Sequence, residues 1–440
     1  MLTRAAFLKG SFALALTAAS RPALADQAEW AQNYETGTRV TRVARSSTPI
    51  VSFEAATATE QAIQAYQGLI ARGGWRPVQG AAGLKVGASS PAVVSLRQRL
   101  IASGDLDPNA GTSPVYDSYV DAGVRRFQSR HGLHPGPMSA ATQTAMNVPA
   151  ETRLKQLEIN LVRLRSYGNL GQRYVIVNIP AAVVETVEDG RVVTRHTAGV
   201  GKIDRQSPIM NAKITEINFN PFWTVPASII RKDLIPRMRK EPNYLTENKI
   251  RIIGGDGQEI APSRVNWNSD EATRYRFKQD PGGDLNSMGF VRINIPNPHG
   301  VYMHDTASRG VFGDDYRFVS SGCVRLQNVR DYIQWLLKET PGWGREEIDA
   351  VFRSGSRTDA RLTAPVNVYW TYITAWANAD GTVQFRDDIY RRDGLNLPVP
   401  QAPEPAPVAQ AAPEPEPTLQ RAATRARPAQ QDEDGDDLFN

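Results

Sequence analysis

The sequence predicts an α+β fold: helical units first, then a β-rich domain interrupted by a helical insertion. Three observations carry this. Apolar residues recur at helical spacing between residues 59 and 166, the period changes to two near residue 173, and a Pro/Arg-rich stretch at 225–262 interrupts the strands. The 440 residues are 41% hydrophobic and 22% charged, the composition of a packed globular protein. At about 150 residues per domain, this length allows roughly three domains.

Residues 1–25 have the pattern of a secretory signal peptide. Arg4 and Lys9 precede an apolar run at 10–19, and Ala23-Leu24-Ala25 is a small-residue cleavage site. The run is too short to span a bilayer as a stable helix, and an uncleaved anchor is the alternative. The stretch from Arg4 to Lys9 resembles a twin-arginine signal with one arginine lost, so both that route and the general secretory route stay open. The mature chain is expected in the periplasm without a stable membrane anchor.

Residues 26–83 form an N-terminal helical segment, in which Ile63, Tyr66, Leu69 and Ile70 make one stripe closed by Gly73-Gly74. Residues 84–150 form a three-helix unit. Val93, Leu96 and Leu100 share one spacing, Val120, Val124 and Phe127 a second, and a short helix covers 139–146. A linking helix at 152–166 opens the β-rich region, 151–397. Strands are predicted at 173–180, 182–187 and 191–196, with Glu188-Asp189-Gly190 as a hairpin turn. Further strands follow at 213–218, 290–295 and 301–304, then a helix at 329–337 and strands at 366–375 and 382–385. The insertion at 225–262 fits a lid over a cleft and a structural flap equally well. Residues 398–440 are Pro/Ala-rich and end in an acidic run at 432–437, a composition that predicts a disordered tail.

The excess of 51 Lys+Arg over 46 Asp+Glu is too diluted to imply a nucleic-acid partner. One cysteine excludes an intramolecular disulfide framework, a four-cysteine zinc site and a CxxC redox pair. In an exported chain it implies a reactive thiol or an intermolecular bridge. Cys323 follows Gly322 and is read as lying just before a helix, where backbone N–H groups hold an oxyanion and lower a thiol pKa. His304, nineteen residues upstream, is the imidazole that thiol catalysis needs. Spacing alone leaves a buried thiol and an unrelated histidine as the alternative. His299, His304 and Cys323 lack the further ligands a zinc site wants, so no metal is expected. His131, His134 and His196 read as surface residues.

The segment Tyr302-Met303-His304-Asp305-Thr306, followed by Ser320-Ser321-Gly322-Cys323-Val324-Arg325, resembles the catalytic signature of the L,D-transpeptidases. Within these it is similar to the large branch with a peptidoglycan-binding domain and a lid subdomain. The likeness extends to 220–226, 289–292, Gly199-Val200-Gly201 with Ser207-Pro208, 372–376 and 385–390. Residues 84–148 are similar to the helical peptidoglycan-binding repeat through 96–100, 124–128 and His131-Gly132-Leu133. Two departures stand out. Ser321 replaces a histidine found in many members, a serine common in the large branch. His134-Pro135-Gly136 replaces the repeat's usual Asp-Gly, which weakens the implied glycan binding.

The resemblance implies a β-rich L,D-transpeptidase catalytic domain with a helical lid insertion, plus a small three-helix peptidoglycan-binding-like domain. It implies that Cys323 attacks the carbonyl of the third residue of a stem tetrapeptide, forms a thioester and expels D-alanine. An amine of a neighbouring stem then completes a 3→3 crosslink. His304 is implied as base and then acid, oriented by the Asp305 carbonyl. The N–H groups of Gly322 and Cys323 are implied as oxyanion donors, with Tyr302 as a further donor. Arg325 is implied to hold a substrate carboxylate, although pairing with a helix carboxylate fits it too. Ser320 and Ser321 complete the substrate loop, and Trp223 lines the donor cleft or simply packs. No cofactor is implied, because the thioester conserves the peptide-bond energy. The expected partners are peptidoglycan stem peptides, as donor and acceptor, and carbapenems are expected to acylate Cys323. An outer-membrane protein as acceptor, hydrolysis by an L,D-carboxypeptidase or endopeptidase, and a non-enzymatic wall-binding scaffold are the alternatives.

Overall fold

A computed structural model describes residues 46–282 and 285–400. The expected signal peptide and residues 401–440 of the expected tail lie outside the described residues. Short polar side chains set where the first helices begin. The Ser52 hydroxyl accepts from the Ala55 N–H ahead of α1 (Phe53–Ala71), and Ser90 caps α2 (Pro91–Ala102) with Pro91 in its first turn. Asp117 caps α3 (Ser118–Arg130) and Ser139 caps α4 (Ala140–Met146) in the same way. Helix α1 begins well before its apolar stripe, because its first turns bury Ala55, Ala56 and Ala58 rather than large residues. Val93, Leu96, Leu100, Val120, Val124 and Phe127 are fully buried in a core that α2–α4 share.

Helix α5 (Ala150–Ser166) leads into the β-rich region. Its strands are β1 (Arg173–Asn178), β2 (Val183–Glu188), β3 (Arg191–Gly201), β4 (Met210–Phe219), β5 (Trp223–Thr224), β6 (Ile250–Ile253), β7 (Glu259–Ile260), β8 (Arg276–Gln279), β9 (Val291–Asn294), β10 (Met303–His304), β11 (Phe318–Ser320), β12 (Val324–Leu326), β13 (Thr358–Thr371), β14 (Ala375–Ala377) and β15 (Val383–Phe385). The main sheet runs β11-β3-β12-β10-β9-β4-β13-β1-β2, and β2 also pairs with β3. Strand β3 makes this possible by being long: its first part pairs with β2, and residues 198–201 pair with β12 and β11. The pairings therefore return to their start and leave few open edges. Asp189 and Gly190, both at positive φ, make the tight turn between β2 and β3. Inside lie Val175, Val177, Ile217, Ile293, Met303, Val324 and Trp370, covered by α6 (Val329–Leu337) and α7 (Arg345–Ser354).

The insertion has a core of its own, with Val225, Ile230, Leu234, Leu245, Ile252 and Phe277 packed together. Its four strands run β5-β8-β6-β7. The unit extends past the expected 225–262 because β8 pairs with both β5 and β6. Asparagine amides pin its ends. Asn220 donates to the Ser356 carbonyl at 2.8 Å, and Asn286 donates to the carbonyls of Pro221 and Asp280 at 3.0 and 2.9 Å.

Three local expectations are corrected. The strand expected at 366–375 stops at Thr371, because side chains replace its ladder: Asn178 bonds both the N–H and the carbonyl of Ile373, and Asn160 accepts from the Thr374 N–H. His131 is buried rather than on the surface, stacked 3.7 Å from the Phe127 ring and 5.4 Å from Phe385. His196 is buried between the Thr194 hydroxyl at 2.8 Å and the Gln327 carbonyl at 3.1 Å.

The helical unit docks on the β14–β15 hairpin through His131. Arg386, next to β15, donates to the Arg130 carbonyl at 3.0 Å and passes directly over Gly132. Gly132 has φ +69, and any side chain there would collide with the Arg386 chain, so only glycine fits on both counts.

Burial holds both histidines neutral. It lowers His196 from 6.5 to about 4 and puts His131 well below 6.5, with Arg130 adding to the shift. In the unfolded chain they protonate near 6.5, so their stabilising contribution is complete above that pH and is lost as pH falls toward 4. The melting temperature is expected to fall across pH 6.5 to 4, with a shallower slope in His196→Gln; thermal melts at half-unit pH steps measure it.

Candidate active site

The register of three short strands assembles the site. His304 of β10 lies opposite Arg325 of the parallel β12 and opposite Arg292 of the antiparallel β9. Met303 lies opposite Val324 and Ile293, and all three are fully buried. Side chains alternate along a strand, so Tyr302, His304, Cys323, Arg325 and Arg292 all project from the other face. The Val324 N–H bonds the Tyr302 carbonyl at 3.0 Å, which aligns Tyr302 with Cys323. Two sequence segments nineteen residues apart thus meet as neighbouring strands.

Cys323 occupies the turn between β11 and β12 and is followed by a strand, not by a helix as expected. Gly322 makes this turn with φ +110. Ser320 braces it: its hydroxyl accepts from the Gly322 N–H at 3.1 Å and donates to the Cys323 carbonyl at 2.6 Å. Ser207 braces it from outside, donating to the Gly322 carbonyl at 2.8 Å and accepting from the Gly201 N–H at 2.9 Å. The Tyr390 hydroxyl in turn accepts from the Ser207 N–H and donates to the Gly201 carbonyl. The Gly322 N–H is therefore already engaged and is not an oxyanion donor in this arrangement.

His304 is buried, and its Nδ1–H donates to the Asp305 carbonyl. That bond fixes the tautomer and leaves Nε2 with its lone pair. The Asp305 carboxylate turns away and accepts from the Phe290 N–H at 3.0 Å, so Asp305 anchors the strand end. Burial, assisted by Arg325 and Arg292, lowers His304 to about 3. Burial raises the Cys323 thiol to about 11, although the Tyr302 N–H and hydroxyl and the two arginines pull it down. At neutral pH the pair is therefore thiol and imidazole, the reverse of the lowered thiol expected at a helix start. Tyr302, raised by burial, stays protonated; its hydroxyl reaches both the thiol and the Trp223 indole.

Trp223 begins β5, so the root of the insertion borders the thiol. A second contact ties the insertion down. Arg205 holds Asp233 of the insertion through two bonds, at 2.5 and 2.9 Å, and donates to the Ser321 hydroxyl at 3.0 Å. Ser321 is exposed and serves as the link between this arginine and the cysteine turn. His299 is exposed in a loop, and among the described residues no three His, Cys, Asp or Glu side chains converge as metal ligands. The sequence reading missed Ser207, Tyr390, Arg205 and Arg292 as individuals. The Gly199-Val200-Gly201 with Ser207-Pro208 pattern was the signal for the first.

Two outcomes follow. Alkylation by iodoacetamide tracks the thiolate fraction, so its rate is expected to climb with pH to a midpoint near 11. A plateau below neutrality, read by mass spectrometry, would instead mark a thiolate–imidazolium pair. Asp233→Asn is expected to weaken the insertion's closure by about 1 kcal/mol, roughly fivefold faster hydrogen exchange across 227–279 with the main sheet unchanged.

Residues 172–345 match the L,D-transpeptidase catalytic domain family, YkuD. A Haemophilus influenzae protein named "Putative L,D-transpeptidase" is 32% identical over 265 residues, 60% of this chain and 52% of that protein. The chain thus spans about half the length of this curated relative. Among solved structures, an L,D-transpeptidase from Stackebrandtia nassauensis is 12% identical with a TM-score of 0.26, covering 66% of this chain and 96% of that one. Another, residues 123–326 of the Xylanimonas cellulosilytica L,D-transpeptidase, is 15% identical with a TM-score of 0.23, covering 66% and 98%.

Proposed function

Since residues 172–345 belong to the L,D-transpeptidase catalytic-domain family, we propose that this chain is a periplasmic enzyme making 3→3 peptidoglycan crosslinks through a Cys323 thioester. The observation that supports the reading best is the convergence of Cys323, Tyr302, His304 and Arg325 on one sheet face, with His304 held in the tautomer that presents Nε2. In the first half-reaction Nε2 takes the thiol proton as Sγ adds to the carbonyl of the third stem residue. The Cys323 N–H and the Tyr302 hydroxyl hold the oxyanion; one such donor is typically worth about 2.7–4 kcal/mol. His304 then protonates the departing nitrogen, D-alanine leaves, and the thioester remains. In the second half an acceptor amine gives its proton to His304 and attacks the thioester, and the proton returns to sulfur.

Neutral resting partners suit this cycle, since nothing must be neutralised before the proton moves, and the positive field of Arg325 and Arg292 favours the thiolate as it forms. Arg325 is mostly buried and its Nε has no described hydrogen-bond partner, the condition of a group awaiting an anion. The helical unit at 84–150 is the wall-binding module of this reading, and residues 1–25 are its export signal. Among the described residues no helix is long and apolar enough to cross a membrane.

Purified chain incubated with disaccharide-tetrapeptide is expected to give a crosslinked dimer lacking one D-alanine, absent with Cys323→Ala. Meropenem is expected to leave a mass adduct on Cys323. Tripeptide alone would indicate hydrolysis or a missing protein acceptor, and no product and no adduct would overturn the reading.

A further inference from the structure

Ser320 and Ser207 hold the cysteine turn one peptide plane at a time. The Ser320 hydroxyl bonds the Gly322 N–H and the Cys323 carbonyl, which belong to the planes before and after the 322–323 peptide. The later plane gains a second bond, from the Val324 N–H to the Tyr302 carbonyl. The 322–323 plane itself has one described bond, from the Ser207 hydroxyl to the Gly322 carbonyl at 2.8 Å. A peptide is planar and trans, so its carbonyl and its N–H point in opposite directions. Ser207 therefore aims the Cys323 N–H, for which no partner is described, away from itself. Nothing local does this, because Gly322, at φ +110, has no side chain to resist rotation of the peptide that follows it. The lock is itself fixed. Ser207 is fully buried, and its oxygen accepts from the Gly201 N–H at 2.9 Å, which leaves its one proton for Gly322. The Tyr390 hydroxyl clamps the same two residues, accepting from the Ser207 N–H and donating to the Gly201 carbonyl. The Tyr390 N–H in turn donates to the Tyr372 hydroxyl at 2.8 Å, which donates to buried Asp388 at 2.7 Å. Gly201 lets the chain fold back this closely: a Cβ there would lie 2.4 Å from both the Arg205 carbonyl oxygen and the Ser207 nitrogen.

We propose that Ser207 is a positioning residue whose hydroxyl, backed by Tyr390, holds the Cys323 N–H in the orientation that receives the oxyanion. This role rests on the transpeptidase reading, in which that N–H is a donor to the tetrahedral intermediate. Without the Ser207 bond the 322–323 peptide is free to turn over. The Gly322 carbonyl oxygen then takes the place of the N–H and sets a lone pair against the developing charge. Addition of the thiol to a carbonyl slows, whereas a displacement by the same sulfur that builds no oxyanion does not.

Two reactions of one thiol separate this role from a general loosening of the site. In the full chain, D-alanine release from disaccharide-tetrapeptide passes through an oxyanion, and alkylation of Cys323 by iodoacetamide does not. In Ser207→Ala, kcat for release is expected to fall roughly tenfold to a hundredfold, short of the full cost of deleting such a donor. KM and the alkylation rate are expected to stay unchanged, and Ser207→Thr, which keeps the hydroxyl, to recover most of kcat. Tyr390→Phe removes one hydroxyl and keeps the ring packing. It is expected to show the same pattern at smaller size, and it carries the comparison if Ser207→Ala does not fold. An unchanged kcat overturns the proposal. So does an alkylation rate that falls by the same factor as kcat, which marks a displaced thiol. Either result leaves transpeptidation standing, whereas an unmodified chain that releases no D-alanine and forms no acyl-enzyme removes both readings.

Discussion

The parallel pairing of β10 with β12, two residue pairs long, is the constraint on which the site depends. It sets Met303 and Val324 into the core and so forces Tyr302, His304, Cys323 and Arg325 to the opposite face. A slip of one residue would turn the imidazole into the core beside Ile293 and Val324 and bring methionine to the site face. The surroundings enforce the register from several sides. Strand β9 pairs with β10, β3 pairs with β12, and the Asp305 carboxylate fastens the end of β10 to the Phe290 backbone. The Ser320, Ser207 and Tyr390 hydroxyls do the same for the turn that carries the thiol.

Electrostatics at this face have an unusual balance. Three positive or potentially positive groups share this face with one thiol, and among the described residues no carboxylate pairs with either arginine. The imidazole answers by giving up its proton, and the thiol keeps its own. The arginines cannot discharge, so they carry the excess. Their positive field pulls the thiol toward the thiolate against the effect of burial.

Much of this was legible in the sequence, where a local physical cause existed. Helical periodicity marked α2–α4, and the Glu188-Asp189-Gly190 turn marked the first hairpin. The His304 and Cys323 segments stood out because both lie within short motifs. Other features depend on distant partners. His131 is buried by Phe385, some 250 residues away, and His196 by the Gln327 carbonyl, so neither shows burial in its own neighbourhood. Arg292 becomes important only through the antiparallel register of β9. The engaged Gly322 N–H depends on where one serine hydroxyl points, which no spacing encodes. Two-residue strands such as β5 and β10 have no period to detect.

The seam between the helical unit and the β14–β15 hairpin has a mechanical meaning. His131 sits between Phe127 and Phe385, and Arg386 crosses Gly132 to reach the Arg130 carbonyl. Tension applied to the helical unit reaches the rest of the molecule through this hairpin, beyond the end of β13, and through α5, which continues the chain into β1. From there the load spreads into β13 and β1, which β4 and β9 separate from β10. The strands that hold the thiol and imidazole are thus set apart from the strands that meet the helical unit's seam.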